Sequence, residues 1–240
     1  MQLKLSHLAG RLSRHLPKHR MIRRDGLAAR LFVPWGCHYV ASDLQELEKG
    51  RREPELYQWL SGLPQSAVLF DVGTSYGQEA ALASSLQDRD VTVVGFDCGL
   101  LHAHFCALNK RLNNDRFEFV FAAVGETSGM PVPITCNSDT HLPHLHRKNA
   151  PYSYEVPSLA LDDYAASRGL VPTHLKIDVD GAEFGVLKGA EKILGNAALT
   201  DIFIEIDHEN DGIFGFLEAR GFSVSWRHDK PQNADVLFTR

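Results

Sequence analysis

Three aspartates, each closing a short apolar run, are the residues of this chain best placed to do chemistry. Asp71 follows Val68-Leu69-Phe70, Asp97 follows Val93-Val94-Gly95-Phe96, and Asp178 follows Leu175-Lys176-Ile177. The first leads into Val72-Gly73-Thr74-Ser75-Tyr76-Gly77. A glycine-bearing turn of this kind lets a ligand approach the backbone where the strand order of an open α/β sheet reverses. Two nucleoside cofactors compete for such a turn. A dinucleotide requires three glycines and no anion, because its pyrophosphate rests on a helix N-terminus. Here Asp71 stands where the first of those glycines would be. A carboxylate at that place suits a cofactor carrying an ammonium and a sulfonium, which points to S-adenosylmethionine. Asp97, 26 residues further on, is placed to accept ribose hydroxyls.

Methyl transfer from a sulfonium to a hydroxyl is an in-line displacement, so alignment is a large part of its catalysis. The hydroxyl also loses a proton, which favours a general base at the strand ends. Asp178, Glu205 and His208 fall at or just beyond the ends of two later apolar runs. Asp178 is the first candidate for that base, or else a carboxylate that positions the cofactor. His208 is the second, its imidazole being suited to proton transfer near neutrality, or else an exposed loop histidine.

The elements that must carry these residues alternate regularly. Strands are expected at 67–71, 91–97, 117–124, 173–179 and 201–206, with helices at 78–86, 100–112, 186–194 and 213–219 between them. Such alternation means βαβ units and a largely parallel sheet. Two closing strands at 222–226 and 235–239, with no helix between them, suggest an antiparallel hairpin at one edge. A helical stretch at 42–60, broken by Gly50 and Pro54, precedes the first strand. Residues 125–172 interrupt the rhythm with a long proline-bearing segment, expected to be an irregular substrate lid.

The block Leu175-Lys-Ile-Asp-Val-Asp-Gly-Ala-Glu183 followed by Val-Leu-Lys-Gly-Ala190 resembles the FkbM-type family of S-adenosylmethionine-dependent O-methyltransferases. So do Leu69-Phe-Asp-Val-Gly-Thr-Ser-Tyr-Gly-Gln-Glu79, Phe121-Ala-Ala-Val-Gly-Glu126, Arg52-Glu-Pro-Glu-Leu-Tyr-Gln-Trp-Leu60 and Ile204-Glu-Ile-Asp207. The resemblance runs from about Ser42 to the C-terminus. It implies an α/β, Rossmann-like class I methyltransferase fold: a mostly parallel seven-stranded sheet with a C-terminal antiparallel strand and helices on both faces. It also implies cofactor contacts at Asp71, Gly73, Ser75, Gly77, Asp97, Cys98, Ala123, Asp178 and Gly181, and acceptor contacts at Glu53 and Glu183. The family more often has Asn at Ser75, Glu at Asp97, and Pro where Cys98 stands.

Charge is unevenly spread. The formal net charge is −5, yet the first 30 residues hold eight Lys/Arg against Asp25 alone. The acidic remainder argues against nucleic acid as the partner, since phosphate neutralisation needs a basic face. Residues 1–41 read as a basic extension ahead of a methyltransferase domain at 42–240. Leu5, Leu8, Leu12 and Leu16 fall on one helical stripe, which either packs on the domain or lies on an anionic membrane surface. The N-terminus has no apolar signal core, and no run approaches the ~18–20 apolar residues of a membrane span. The four cysteines, Cys37, Cys98, Cys106 and Cys136, show no CxxC pair. A cytoplasmic protein, at most peripheral to the inner face of a membrane, is the expectation. His141, His144 and His146 beside Asp139 could suggest a metal, but lack the ordered Cys/His spacing of structural zinc. No metal is therefore expected, and His141 and His144 read as an acceptor rim. The expected function is O-methylation of a sugar, glycoconjugate or other natural product. The alternatives are a nicotinamide oxidoreductase and a non-catalytic, membrane-associated adaptor.

Overall fold

The computed structural model describes residues 19–33, 38–136, 143–145, 152–210 and 212–240. Its centre is a seven-stranded sheet of order β12-β13-β11-β10-β3-β4-β5. The strands are β3 (Val68–Val72), β4 (Thr92–Asp97), β5 (Glu118–Phe121), β10 (His174–Ile177), β11 (Asp201–Asp207), β12 (Ser223–Asp229) and β13 (Asn233–Thr239). Neighbours are parallel from β5 across to β11, while β13 runs antiparallel to both β11 and β12. This is the sheet expected from the sequence, every strand of it within a few residues.

Period-two alternation on buried strands gives the sheet two apolar faces. Leu69, Val93 and Phe203 face one core, together with helices α1 (His38–Glu48), α2 (Pro54–Ser61), α3 (Gln78–Ala83) and α4 (Leu100–Leu112). Phe70, Val72, Val94, Phe96, Leu175 and Ile177 face the other. That core is closed by α5 (Leu161–Arg168), α6 (Glu183–Lys188), α7 (Glu191–Gly195) and α8 (Gly212–Glu218). The helix expected at 186–194 is thus two short helices, broken at Gly189-Ala190.

Two regions depart from the sequence reading. Residues 19–32, assigned above to the basic extension, form a hairpin of β1 (His19–Arg24) and β2 (Leu27–Phe32). Asp25 and Gly26, both at positive φ, make its two-residue turn. Ile22, Leu27, Ala29 and Leu31 are buried in the first core. From α4, Asn109 Oδ1 accepts from Phe32 N at 2.7 Å and Asn113 Oδ1 from Arg30 N at 2.9 Å. The hairpin therefore belongs to the body, and the leucine stripe at 5–16 lies outside the described residues.

The described part of the 125–172 segment is not irregular. It contributes β7 (Pro131–Cys136), β8 (Pro143–Leu145) and β9 (Tyr152–Leu159), which join β6 (Ala123–Val124) in a four-stranded sheet of order β6-β9-β7-β8. Ile134, Cys136 and Val156 form its small core against Cys98, Phe121 and Ala123. The expected single strand at 117–124 changes sheets at Ala122, whose N–H donates to Asp97 O at 3.1 Å.

Candidate active site

A cavity of about 490 Å³ opens at the carboxyl ends of β3, β4 and β10, walled on one side by the second sheet. That size lies within the usual range for small-ligand pockets, roughly 300–1,000 Å³, and the switch point is where such sheets bind ligands.

The turn after β3 is rigid. Gly73 N and Thr74 N both donate to Phe96 O, at 2.9 and 3.0 Å, and Asp178 N donates to Val72 O at 3.0 Å. Gly73 has φ +80°, and a Cβ there would fall 1.7 Å from Asp178 O. Glycine is required because two strand ends touch, which locks Asp178 to the turn. Gly77 (φ +77°) is needed for packing as well, since its Cβ would meet Cys106 Sγ at 2.6 Å.

Gly73, Ser75, Asp97, Cys98, Ala123 and Asp178 line the cavity. Asp71 does not. It is 0% exposed, accepts from Thr74 Oγ1 at 2.6 Å, and lies 3.3 Å from Lys176 Nζ. Lys176 is paired in register with Asp71 on the adjacent strand and is 3% exposed. The charge of Asp71, expected from the sequence to serve the ligand, is already faced by an internal cation. Lys176 also approaches Asp178 Oδ2 at 3.6 Å and lines the cavity. Burial alone would push its ammonium towards neutrality, but Asp71, Asp178, Glu79 and Glu53 outweigh that and raise its pKa.

Asp97 is held on both oxygens. Oδ2 accepts from Ser75 N at 2.9 Å, while Oδ1 accepts from Gly99 N at 2.7 Å and faces His102 Nδ1 at 3.1 Å. Ser75, at φ +52°, keeps its own Oγ buried without a partner. The Cys98 thiol is pushed up to about 12 by burial and by the charge of Asp97, so it stays protonated and is no nucleophile. Tyr154, from β9, donates its hydroxyl proton to Cys98 O at 2.9 Å and accepts from Leu100 N at 3.1 Å. The second sheet is thereby fastened to the β4–α4 loop.

The other expected residues lie around this centre rather than in it. Gly181 N donates to Glu183 Oε1 at 2.8 Å. Glu183 is buried, with Oε2 unpartnered, and burial raises its carboxyl pKa. Burial likewise raises Glu53, which begins α2 beside Arg52. Burial, then the charge of Asp178, moves Glu205 up to about 7, although Lys230 Nζ grips Oε2 at 2.7 Å. His208 is exposed in a 3₁₀ turn, and its Nε2 lies 2.9 Å from Lys230 O, a carbonyl that only accepts. Nε2 is therefore protonated and bonded, and neither Glu205 nor His208 lines the cavity. His144 lies in β8, opposite Thr135; its side chain and the whole of His141 lie outside the described residues. No group of three or more metal-ligating side chains occurs among the described residues.

Four further residues at the cavity, Arg52, Glu79, His102 and Lys176, were not expected from the sequence. Lys176 had a signal, a lysine inside a buried strand, where an ion pair is the usual reason. His102, Arg52 and Glu79 had none, because their roles depend on which loops meet. Glu79 Oε1 accepts from Tyr57 Oη and Gln78 Nε2, each at 2.6 Å. Arg52 pairs with Asp43 and keeps its Nε buried without a hydrogen bond.

This donor set fits S-adenosylmethionine. Asp97, at the end of β4, would accept ribose hydroxyls, and the carboxylates around Arg52 and Lys176 would suit a cation. Orphaned Ser75 Oγ and Arg52 Nε leave polar groups for a ligand to satisfy.

Among curated proteins, none matches the sequence. The fold is similar to that of the precorrin-6y C5,15-methyltransferase of Geobacter metallireducens GS-15, with a TM-score of 0.50 at 13% identity, over 80% of this chain and 88% of that one. A protein of the NADB-Rossmann superfamily from Streptococcus agalactiae gives 0.50 at 10% identity, over 78% and 68%. TrmK of M. capricolum, solved with S-adenosyl-homocysteine, gives 0.48 at 7%, over 77% and 67%. The model of the methyltransferase FkbM domain matches residues 71–224, well over half of the sequence. The chain belongs to the FkbM family and is an S-adenosylmethionine-dependent methyltransferase.

Proposed function

We propose that the acceptor atom is a hydroxyl oxygen on a sugar, glycoconjugate or other small natural product, and that Asp178 orients and deprotonates it. The nicotinamide alternative falls with the family assignment. The observation that carries the reading is the openness of Asp178 at the strand end, where Lys176 at 3.6 Å from Oδ2 is its nearest side-chain partner among the described residues. Asp97 and Glu79 are committed to protein donors. Asp178 keeps 34% of its side chain exposed, at the end of the strand next to β3.

The donor, when bound, supplies an activated methyl and a sulfide leaving group. This chain's residues then do three things. Gly73 and the Asp178 N–H bond to Val72 fix the carboxylate against the cofactor turn, so that an acceptor held by Asp178 is aligned. The acceptor's proton passes to Asp178 as its oxygen takes the methyl, and leaves to solvent through the exposed side of that carboxylate. Lys176, 3.6 Å away, restrains the carboxylate from below.

The acceptor side of the cavity is formed by Gly125, Glu126, Thr127 and Met130, from the start of the insertion. Glu126 and Met130 are well exposed, a mixed rim suited to a hydroxylated molecule with apolar parts. The described start of the insertion thus acts as an acceptor wall, with Glu53 beside it. An acidic body disfavours a polynucleotide acceptor.

The test is labelled-methyl transfer to a panel of saccharide and natural-product alcohols, with Asp178→Asn alongside the wild type. Transfer should fall about 10²- to 10⁴-fold in the variant, with S-adenosylmethionine affinity by calorimetry within about threefold of wild type. Undiminished transfer by Asp178→Asn, or methylation found only at nitrogen or carbon, would overturn the proposal.

A further inference from the structure

Asp97 is more fully occupied than a ribose-binding carboxylate can afford to be alone. An ionised carboxylate offers about four lone-pair sites. Gly99 N and His102 Nδ1 take both on Oδ1, and Ser75 N takes one on Oδ2. One remains, whereas the vicinal diol of a nucleoside brings two hydroxyl donors.

The second acceptor stands beside it. His102 is the third residue of α4, buried at 5% exposure, and it lines the cavity. Since the Asp97 carboxylate only accepts, the proton shared between them sits on Nδ1, and in the imidazole form this leaves Nε2 as the ring's acceptor. Nε2 has no partner among the described residues. The ring is also held in place: a Cβ on Gly99 would come within 2.9 Å of Nδ1, so the β4–α4 loop packs directly on it.

We infer that His102 and Asp97 form a two-acceptor clamp for the cofactor's ribose, Nε2 of His102 taking one hydroxyl and Oδ2 of Asp97 the other. This deepens the site described above and rests on the donor's nucleoside lying at the end of β4. It makes His102 a cofactor-binding residue that recognises the diol, in addition to steadying Asp97.

Calorimetric titration with S-adenosylhomocysteine and its 2′-deoxy and 3′-deoxy analogues tests the clamp without turnover. In the wild type each missing hydroxyl should weaken binding about 3- to 10-fold. In His102→Leu the parent ligand should weaken by a similar factor, and the penalty for one of the two deoxy analogues should vanish while the other persists. His102→Gln, which restores an acceptor, should recover much of the discrimination. On the wild type itself, the ¹⁵N resonance of His102 Nε2 should move on adding S-adenosylhomocysteine and not on adding the analogue that lacks the hydroxyl it accepts. That measurement serves equally if the leucine variant does not fold. Both penalties surviving in His102→Leu, or an Nε2 resonance indifferent to ligand, would overturn the clamp alone. Failure of the wild type to bind S-adenosylhomocysteine at all would remove the donor site and the clamp with it.

Discussion

Replacing Lys176 by methionine should be among the most damaging single changes in this chain, for a reason that can be worked from its surroundings. Its Nζ sits 3.3 Å from Asp71 Oδ1 and 3.6 Å from Asp178 Oδ2. At an effective dielectric near 20, the first contact alone is about 5 kcal/mol of Coulomb attraction. The second is discounted, because Asp178 is a third exposed and screened. Burial of the ammonium opposes both, so the net value of the pair is small, but that is not what the variant measures. Methionine keeps the volume and removes the charge, leaving Asp71 fully buried with only Thr74 Oγ1 as a partner. Removing one member of a buried pair costs about 3–5 kcal/mol, a large share of the roughly 5–15 kcal/mol of a typical domain. Urea unfolding of Lys176→Met should show that loss as a lower midpoint with an unchanged slope. Adding Asp71→Asn, which cancels the stranded charge, should recover about 2 kcal/mol or more, giving strong coupling in the double-mutant cycle. A loss below about 1 kcal/mol in the single variant, or additive behaviour in the double, would refute the ion-pair account of Asp71.

Gly73→Ala should destabilise the chain by about 3 kcal/mol or more and abolish transfer, because its Cβ would overlap the Asp178 carbonyl at a backbone angle that L-residues avoid; unfolding and activity assays check both. Tyr154→Phe removes the hydroxyl that bridges Cys98 O and Leu100 N, and should cost about 1–2 kcal/mol while making the second sheet more susceptible to limited proteolysis. Glu205, raised from 4.5 to about 7 chiefly by burial, contributes stability that is full below about pH 4.5 and lost as pH rises through 7. Relative to Glu205→Gln, the wild type should therefore lose about 1–2 kcal/mol between pH 5 and 8, after allowance for partial exposure, read from unfolding curves at each pH.

The parallel strands were legible because strands buried on both faces read as unbroken apolar runs ended by glycine or aspartate. The β1–β2 hairpin was not, although its Asp25-Gly26 turn is a strong hairpin signal. Arg20, Arg23, Arg24 and Arg30 dominate the segment by charge, while Ile22, Leu27, Ala29 and Leu31 are buried. In the insertion, prolines at 131, 133 and 157 resemble a loop, yet Pro131 stands opposite Pro157 on paired strands. At the site, Asp97 and Asp178 were legible as strand-end carboxylates. The partnership of Asp71 with Lys176 was not, because it depends on the register of two strands about a hundred residues apart. His102 and Asp97 meet only through the bend at Gly99.

That hidden register changes the electrostatic reason for preferring a sulfonium donor. A lone Asp71 beneath the turn would repel a pyrophosphate, but its charge is largely offset by Lys176 at 3.3 Å. The preference must come from the wider set. Among the described residues, Asp43, Glu53, Glu79 and Asp178 join Asp71 around two cations, Arg52 and Lys176. Five carboxylates to two cations bias the set towards negative charge, although burial raises the pKa of Asp71 and Glu53 and so reduces that excess. Asp97, tied by Ser75 and Gly99, adds its charge to the cavity wall at the end of β4, where the proposed ribose site lies. A ligand with positive charge near its reacting atom and hydroxyls elsewhere satisfies both at once, whereas a diphosphate would face carboxylates at each. Selectivity for the donor is thus a collective property of the floor. It should survive neutralisation of any single outlying carboxylate, such as Glu53→Gln, in calorimetric comparison of S-adenosylmethionine with a dinucleotide.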